Sequence, residues 1–193
     1  MKEVMEAEPI HLMKQRLFTL IKEKAYLRRT PPEEPFKLAS GGTSYVYFDA
    51  KQVTQDPEGI TLIGKIILQM IRDTEVEAIG GLESGAIPIA TAVSLLSNQE
   101  GLNISAFWIR KEPKTHGTMR WIEGQLKLNS KVIIVDDVVT KGSSVMKAVE
   151  KVREIGCQVL GVVAIVDREE GCGERLRKEG IRFTGIFKKS DFE

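Results

Sequence analysis

Residues 132–144 read VIIVDDVVTKGSS: four apolar residues, two adjacent carboxylates, two more apolar residues, then a turn rich in hydroxyls and glycine. An unbroken β-branched run such as Val132 to Val135 has the texture of a strand covered on both faces, the kind found in parallel sheets. Beyond the turn, Val145, Met146, Val149 and Val152 recur at helical spacing, so the order is strand, turn, helix. Working outward, the same rhythm repeats. Strands are expected over 76–80, 104–110, 131–135, 159–166 and 182–187, and helices over 86–96, 145–155 and 174–179. Short apolar strands alternating with helices predict an α/β fold with a central, mostly parallel sheet and helices on both faces.

The first third of the chain has a different texture. Ile10, Met13, Leu17, Leu20 and Ile21 predict an amphipathic helix over 9–29, which the prolines of TPPEEPF (30–36) cannot continue. A Ser40-Gly41-Gly42 turn followed by SYVYFDA (44–50) suggests a small hairpin. Asp56-Pro57 opens a second helix, carrying Ile63, Ile66, Ile67, Met70 and Ile71 on one stripe.

At 193 residues the chain has room for one domain. Its 28 basic and 27 acidic side chains leave a net charge of +1, so no overall field draws it to nucleic acid or to an anionic membrane. No apolar run approaches the roughly 20 residues of a membrane span. The acidic start MKEVMEAEPIHLMKQRLF does not resemble a secretory leader, and the expected location is cytoplasmic. Cys157 and Cys172 are the only cysteines and fit reduced thiols better than a disulfide or zinc site.

In open parallel sheets, ligands bind beyond the carboxyl ends of the strands. Adjacent carboxylates there, Asp136 and Asp137, suit a vicinal diol and favour a nearby Mg2+ on an oxygen-rich ligand. Thr140 to Ser144 offer backbone N–H groups and hydroxyls at a helix N-terminus, a place for phosphate. Diol and phosphate on one turn indicate a ribose phosphate. The glycine-rich segment 80–85, GGLESG, also follows a strand, and residues 111–124, KEPKTHGTMRWIEG, form a long polar loop. Neither a GxxxxGK[ST] nucleotide loop nor a DxD signature is present.

The string of hydrophobic strand, Asp-Asp, two apolar residues and Thr-x-Gly-Ser resembles the phosphoribosyl pyrophosphate (PRPP) motif of type I phosphoribosyltransferases. The segment Arg110-Lys111-Glu112-Pro113-Lys114-Thr115-His116-Gly117 is similar to the Arg-Lys-x-x-Lys-x-His-Gly loop of the orotate phosphoribosyltransferases. FKLASG (36–41), YFD (47–49), IPIA (87–90) and DREEG (167–171) match as well, so the resemblance spans roughly residues 10–190. It implies one phosphoribosyltransferase domain, with a helix-and-hairpin hood over about 1–57 and a PRPP-binding core over about 58–193. It implies transfer of phosphoribosyl from PRPP to orotate, giving orotidine 5'-phosphate and pyrophosphate, with Mg2+ held mainly by PRPP and no firm protein ligand.

By the same resemblance, Ser84, Gly85, Arg110, Lys111, Lys114, His116 and the run Asp136, Asp137, Val138, Val139, Thr140, Lys141, Gly142, Ser143 and Ser144 would bind PRPP. Lys114, His116, Asp136 and Asp137 would be catalytic. Tyr47, Phe48, Thr140 and Arg168 would meet orotate. The 110–117 loop would be a lid reaching the neighbouring site of a homodimer. Three positions depart from the pattern: no lysine follows Lys37 at or beside Ala39, Lys141 replaces a small residue, and Glu83 puts an anion beside the phosphates. Two alternatives stay open, a type I enzyme for another base such as a purine and a non-catalytic PRPP-sensing regulator.

Overall fold

In the computed structural model of the chain, residues 8–38, 41–113 and 121–193 are described. Helix α1 (Ile10–Lys24) buries Met13, Leu17, Leu20 and Ile21 along one stripe. It ends sooner than its periodicity suggests, because the next residues are drawn into β1 (Tyr26–Arg28), whose antiparallel partner is β4 (Val46–Phe48). Between them β2 (Phe36–Lys37) and β3 (Thr43–Ser44) form the hairpin. A single turn, α2 (Lys51–Thr54), leads to α3 (Pro57–Ile71). There the Asp56 carboxylate accepts the N–H groups of Glu58 and Gly59, and proline occupies the first turn, where its missing N–H costs nothing.

The core follows as β5 (Ala78–Leu82), α4 (Ala86–Gln99), β6 (Ser105–Ile109), β7 (Ile122–Gly124), β8 (Lys131–Val139), α5 (Ser143–Arg153), β9 (Gln158–Asp167), α6 (Cys172–Lys178) and β10 (Phe183–Lys188). The six strands lie in the order β10-β9-β8-β5-β6-β7, parallel throughout except for the antiparallel edge pair β6–β7.

Along β8 the side chains alternate between two hydrophobic clusters. Ile133 and Val135 pack on one face with residues of α1, α3 and α4; Val132 and Ile134 pack on the other with residues of α5 and α6. This two-sided burial is why the strand reads as continuously apolar. Residues of α1 and β4 share the first cluster with the sheet, so the hood has no separate core. Each fully buried Ile or Leu there contributes roughly 1.5–3 kcal/mol.

Two sequence expectations need correcting. β8 does not stop at Val135 but runs through both aspartates to Val139, since Asp136 pairs with Ala164 and Val138 with Val166 of β9. A continuing ladder outweighs the poor strand propensity of aspartate. The loop expected over 111–124 ends in a strand, β7, where Ile122 pairs with Ile109. Gly124, at φ 99°, permits the close approach, because a Cβ there would lie 2.6 Å from the Ala106 carbonyl oxygen.

Candidate active site

The chain leaves β5 through α4 toward β6 on one side, and leaves β8 through α5 toward β9 on the other. The carboxyl ends of β5 and β8 therefore flank the topological switch point, where such sheets hold ligands. A cavity of about 500 Å³ opens beside it, lined without a break by residues 136–145 and closed by Tyr47, Asp49 and Arg168.

Asp136 and Asp137 sit in the last turns of the ladder, so their positions are set by strand pairing rather than by a loop. The Asp136 carboxylate accepts the N–H of Asp137 at 3.0 Å, and that of Asp137 accepts the N–H of Val138 at 2.8 Å. Burial and then the neighbouring Asp137 charge push Asp136 up to about 8. The charged form of Asp136 is therefore unfavourable in the empty cavity, and a ligand bringing hydroxyl donors and positive charge would relieve that penalty. Asp137 rests on the loop after β5: a Cβ at Gly85 would come within 2.6 Å of its carboxyl carbon. Glycine at 85 is what lets the carboxylate and that loop meet.

After Val139 the chain turns through Thr140, Lys141 and Gly142 into α5. Gly142 adopts φ 76°, and a Cβ there would lie 2.8 Å from Cys172 Sγ. No side chain caps α5, so its first N–H groups point into the turn as an anion cradle. Lys141, Ser143 and Ser144 are exposed along its rim.

The described residues expected to hold pyrophosphate come from separate segments and do not line the cavity. Ser84 and Gly85 follow β5, while Arg110 and Lys111 follow the neighbouring β6. The Arg110 N–H donates to the Trp121 carbonyl at 2.9 Å. Its guanidinium faces the Glu112 carbonyl at 3.3 Å and Glu123 at 3.9 Å. Lys114 and His116 lie outside the described residues, as does Ala39.

Of the residues expected to meet orotate, Tyr47 and Phe48 are separated by the structure, because neighbours on a strand face opposite ways. Phe48 is 4% exposed and packs its ring against Tyr26 and Phe192, forming the cavity's floor. Tyr47 is half-buried with its ring against Phe36 and is the one placed to offer a face. Arg168, 5% exposed, extends Nη1 to the Val46 carbonyl at 3.1 Å and Nε to Glu170 at 2.8 Å. It thereby joins the end of β9 to the hood.

Sequence reasoning missed Glu170, although its place two residues beyond Arg168 was a visible signal. It also missed Lys147, whose contacts no local pattern shows. Cys157 and Cys172 are free and buried, and burial raises both thiols, Cys172 to about 11.

The phosphoribosyl transferase domain family matches residues 49–184. An orotate phosphoribosyltransferase of Aquifex aeolicus is 46% identical over 180 residues, 93% of this chain and 97% of that protein. That of Bradyrhizobium diazoefficiens is 41% identical over 92% and 94%. Among solved structures, a Mycobacterium tuberculosis orotate phosphoribosyltransferase in complex with PRPP superposes with a TM-score of 0.76 at 30% identity, covering 93% of this chain and 98% of that one. With a strand-borne acidic pair, a phosphate cradle and these matches in one frame, the chain belongs to the orotate phosphoribosyltransferases of the phosphoribosyl transferase family.

Proposed function

We propose that the cavity binds PRPP and orotate and joins N1 of orotate to C1 of the ribose as the bond from C1 to pyrophosphate breaks. The observation that carries this reading is continuity: acidic pair and phosphate cradle line one wall of one cavity, nine residues from Asp136 to Ser144. The N–H groups opening α5 would hold the 5'-phosphate. Asp136 and Asp137 would accept the ribose hydroxyls and favour the positive charge that grows on the sugar. Cations at the end of β6 would meet the charge that grows on the pyrophosphate. Tyr47 would stack on the flat base, and Arg168 would face it from the other side. Against a purine stands Arg168, a buried guanidinium in the cavity lining that would suit an anionic ring.

Among the described residues no group of three or more His, Cys, Asp or Glu could hold a metal. Two carboxylates on the cavity wall nevertheless fit Mg2+, which keeps few protein ligands and takes the rest from phosphate oxygens. When bound, the ion would neutralise pyrophosphate charge.

We also propose a homodimer in which the lid serves the partner's cavity, and a cytoplasmic location, supported by two unpaired thiols. Mixing Lys114→Ala with Asp136→Asn chains tests the dimer: exchange should restore about a quarter of wild-type activity, since half the dimers are mixed and each has one intact site. No recovery after demonstrated exchange rejects the crossing lid.

The reaction itself is tested by the fall in orotate absorbance when protein, PRPP and Mg2+ are combined. Pyrophosphate release with hypoxanthine or guanine, and none with orotate, sinks the reading. As to membranes, no helix among the described residues is long and apolar enough to cross one.

A further inference from the structure

An acidic side chain beside a pyrophosphate subsite is out of place on charge grounds, yet Glu83 has a definite partner. Its Oε1 accepts the backbone N–H of Lys111 at 2.8 Å, while its own N–H donates to the Ile109 carbonyl at 2.8 Å. From the opposite side Lys147, on α5, donates its ammonium to the Lys111 carbonyl. Both polar groups of one main-chain residue are thus fixed, one by the loop after β5 and one by the helix that starts at the phosphate cradle.

The fastening extends to the returning chain. Lys147 and Lys151 place their Nζ atoms 4.9 and 4.5 Å from the centre of the Trp121 ring. Lys111 stands exposed at the carboxyl end of β6, beside β5, on the same edge of the sheet as the acidic pair. Its charge is among those that act on Asp136. The direction in which its side chain leaves the backbone therefore matters to the cavity, and two long-range bonds set it.

We propose that Glu83 is a positioning residue that acts through the Lys111 main chain, with Lys147 as its counterpart, to aim the Lys111 ammonium at the pyrophosphate of PRPP. This rests on the cavity being a PRPP site. It also accounts for the anion: one oxygen of the carboxylate is engaged by the Lys111 N–H.

The test is calorimetric titration of PRPP with Mg2+ into wild type, Glu83→Gln, Glu83→Ala and Lys147→Met, with orotate kinetics in parallel. Glu83→Ala should weaken PRPP about tenfold and leave the KM for orotate unchanged, a split that general loosening of the fold does not give. Glu83→Gln, whose amide oxygen still accepts, should return to within about twofold, and Lys147→Met should lose about threefold. Wild-type affinity in Glu83→Ala, or a Gln variant as weak as Ala, overturns the inference. PRPP binding by wild type without orotate consumption defeats the base assignment alone, and the variant series still decides the role of Glu83. No PRPP binding by wild type overturns both.

Discussion

The two ends of the PRPP site are built in opposite ways. At the end of β8 the residues proposed to hold ribose and 5'-phosphate are nine consecutive ones, held by a strand ladder and a helix start. At the end of β6 the proposed pyrophosphate side depends on Glu83, Lys111, Lys147 and Trp121, drawn from two loops and a helix and joined by backbone bonds and ring contacts. The first is held by a ladder and a local turn. The second is held by contacts between segments far apart in sequence, each of which one substitution can remove without disturbing a ladder.

Substitutions at the β8 end should break this contrast most severely. Asp137→Asn is expected to lower kcat by about a thousandfold, the scale of losing one preorganised charge at a developing ion, as read by orotate consumption at saturating PRPP. Asp136→Asn should also be inactive, yet more heat-stable. A carboxyl raised in the folded state binds its proton more tightly there than in the unfolded chain. Stability is therefore lost as pH rises from the ordinary value of 3.8 through about 8. The neutral amide removes that penalty. The gain in Tm should be absent near pH 4 and reach roughly 2–4 °C at pH 8, checked by thermal melts across that range.

The point where the two regions touch comes next. Gly85→Ala puts a methyl where the Asp137 carboxyl stands and should cost about tenfold to a hundredfold in kcat/KM with the fold intact by circular dichroism. Wild-type kinetics for it would mean the carboxylate is free to move. Arg168→Gln should raise the KM for orotate about tenfold while PRPP binding by calorimetry stays within about twofold, confining the effect to the base side. Tyr47→Leu should give the smallest change, about threefold in the same KM, because one stacking face is lost while the strand remains.

What could be read in advance follows the same division. Val132 to Ser144 announced strand, acidic pair and phosphate turn, because residues adjacent in sequence do the work together. The alternation of apolar runs likewise announced the parallel sheet. β1 and β7 were invisible, since three-residue strands such as Tyr26–Arg28 gain their identity from a distant partner and not from their own pattern. Aspartates inside a strand were misplaced for the same reason: propensity argued for a loop and the β9 ladder decided otherwise. The pairing of Glu83 with Lys111 spans 28 residues and leaves no local trace.

Arg168 reaches the hood through the Val46 carbonyl, a group that every residue type possesses. The latch thus reads the path of the hood's main chain and is blind to its side chains. Evolution, or a designer, can exchange the hood's exposed, base-facing side chains while Val46 and Phe48 stay committed to the shared core, so long as the strand still passes within reach of the guanidinium.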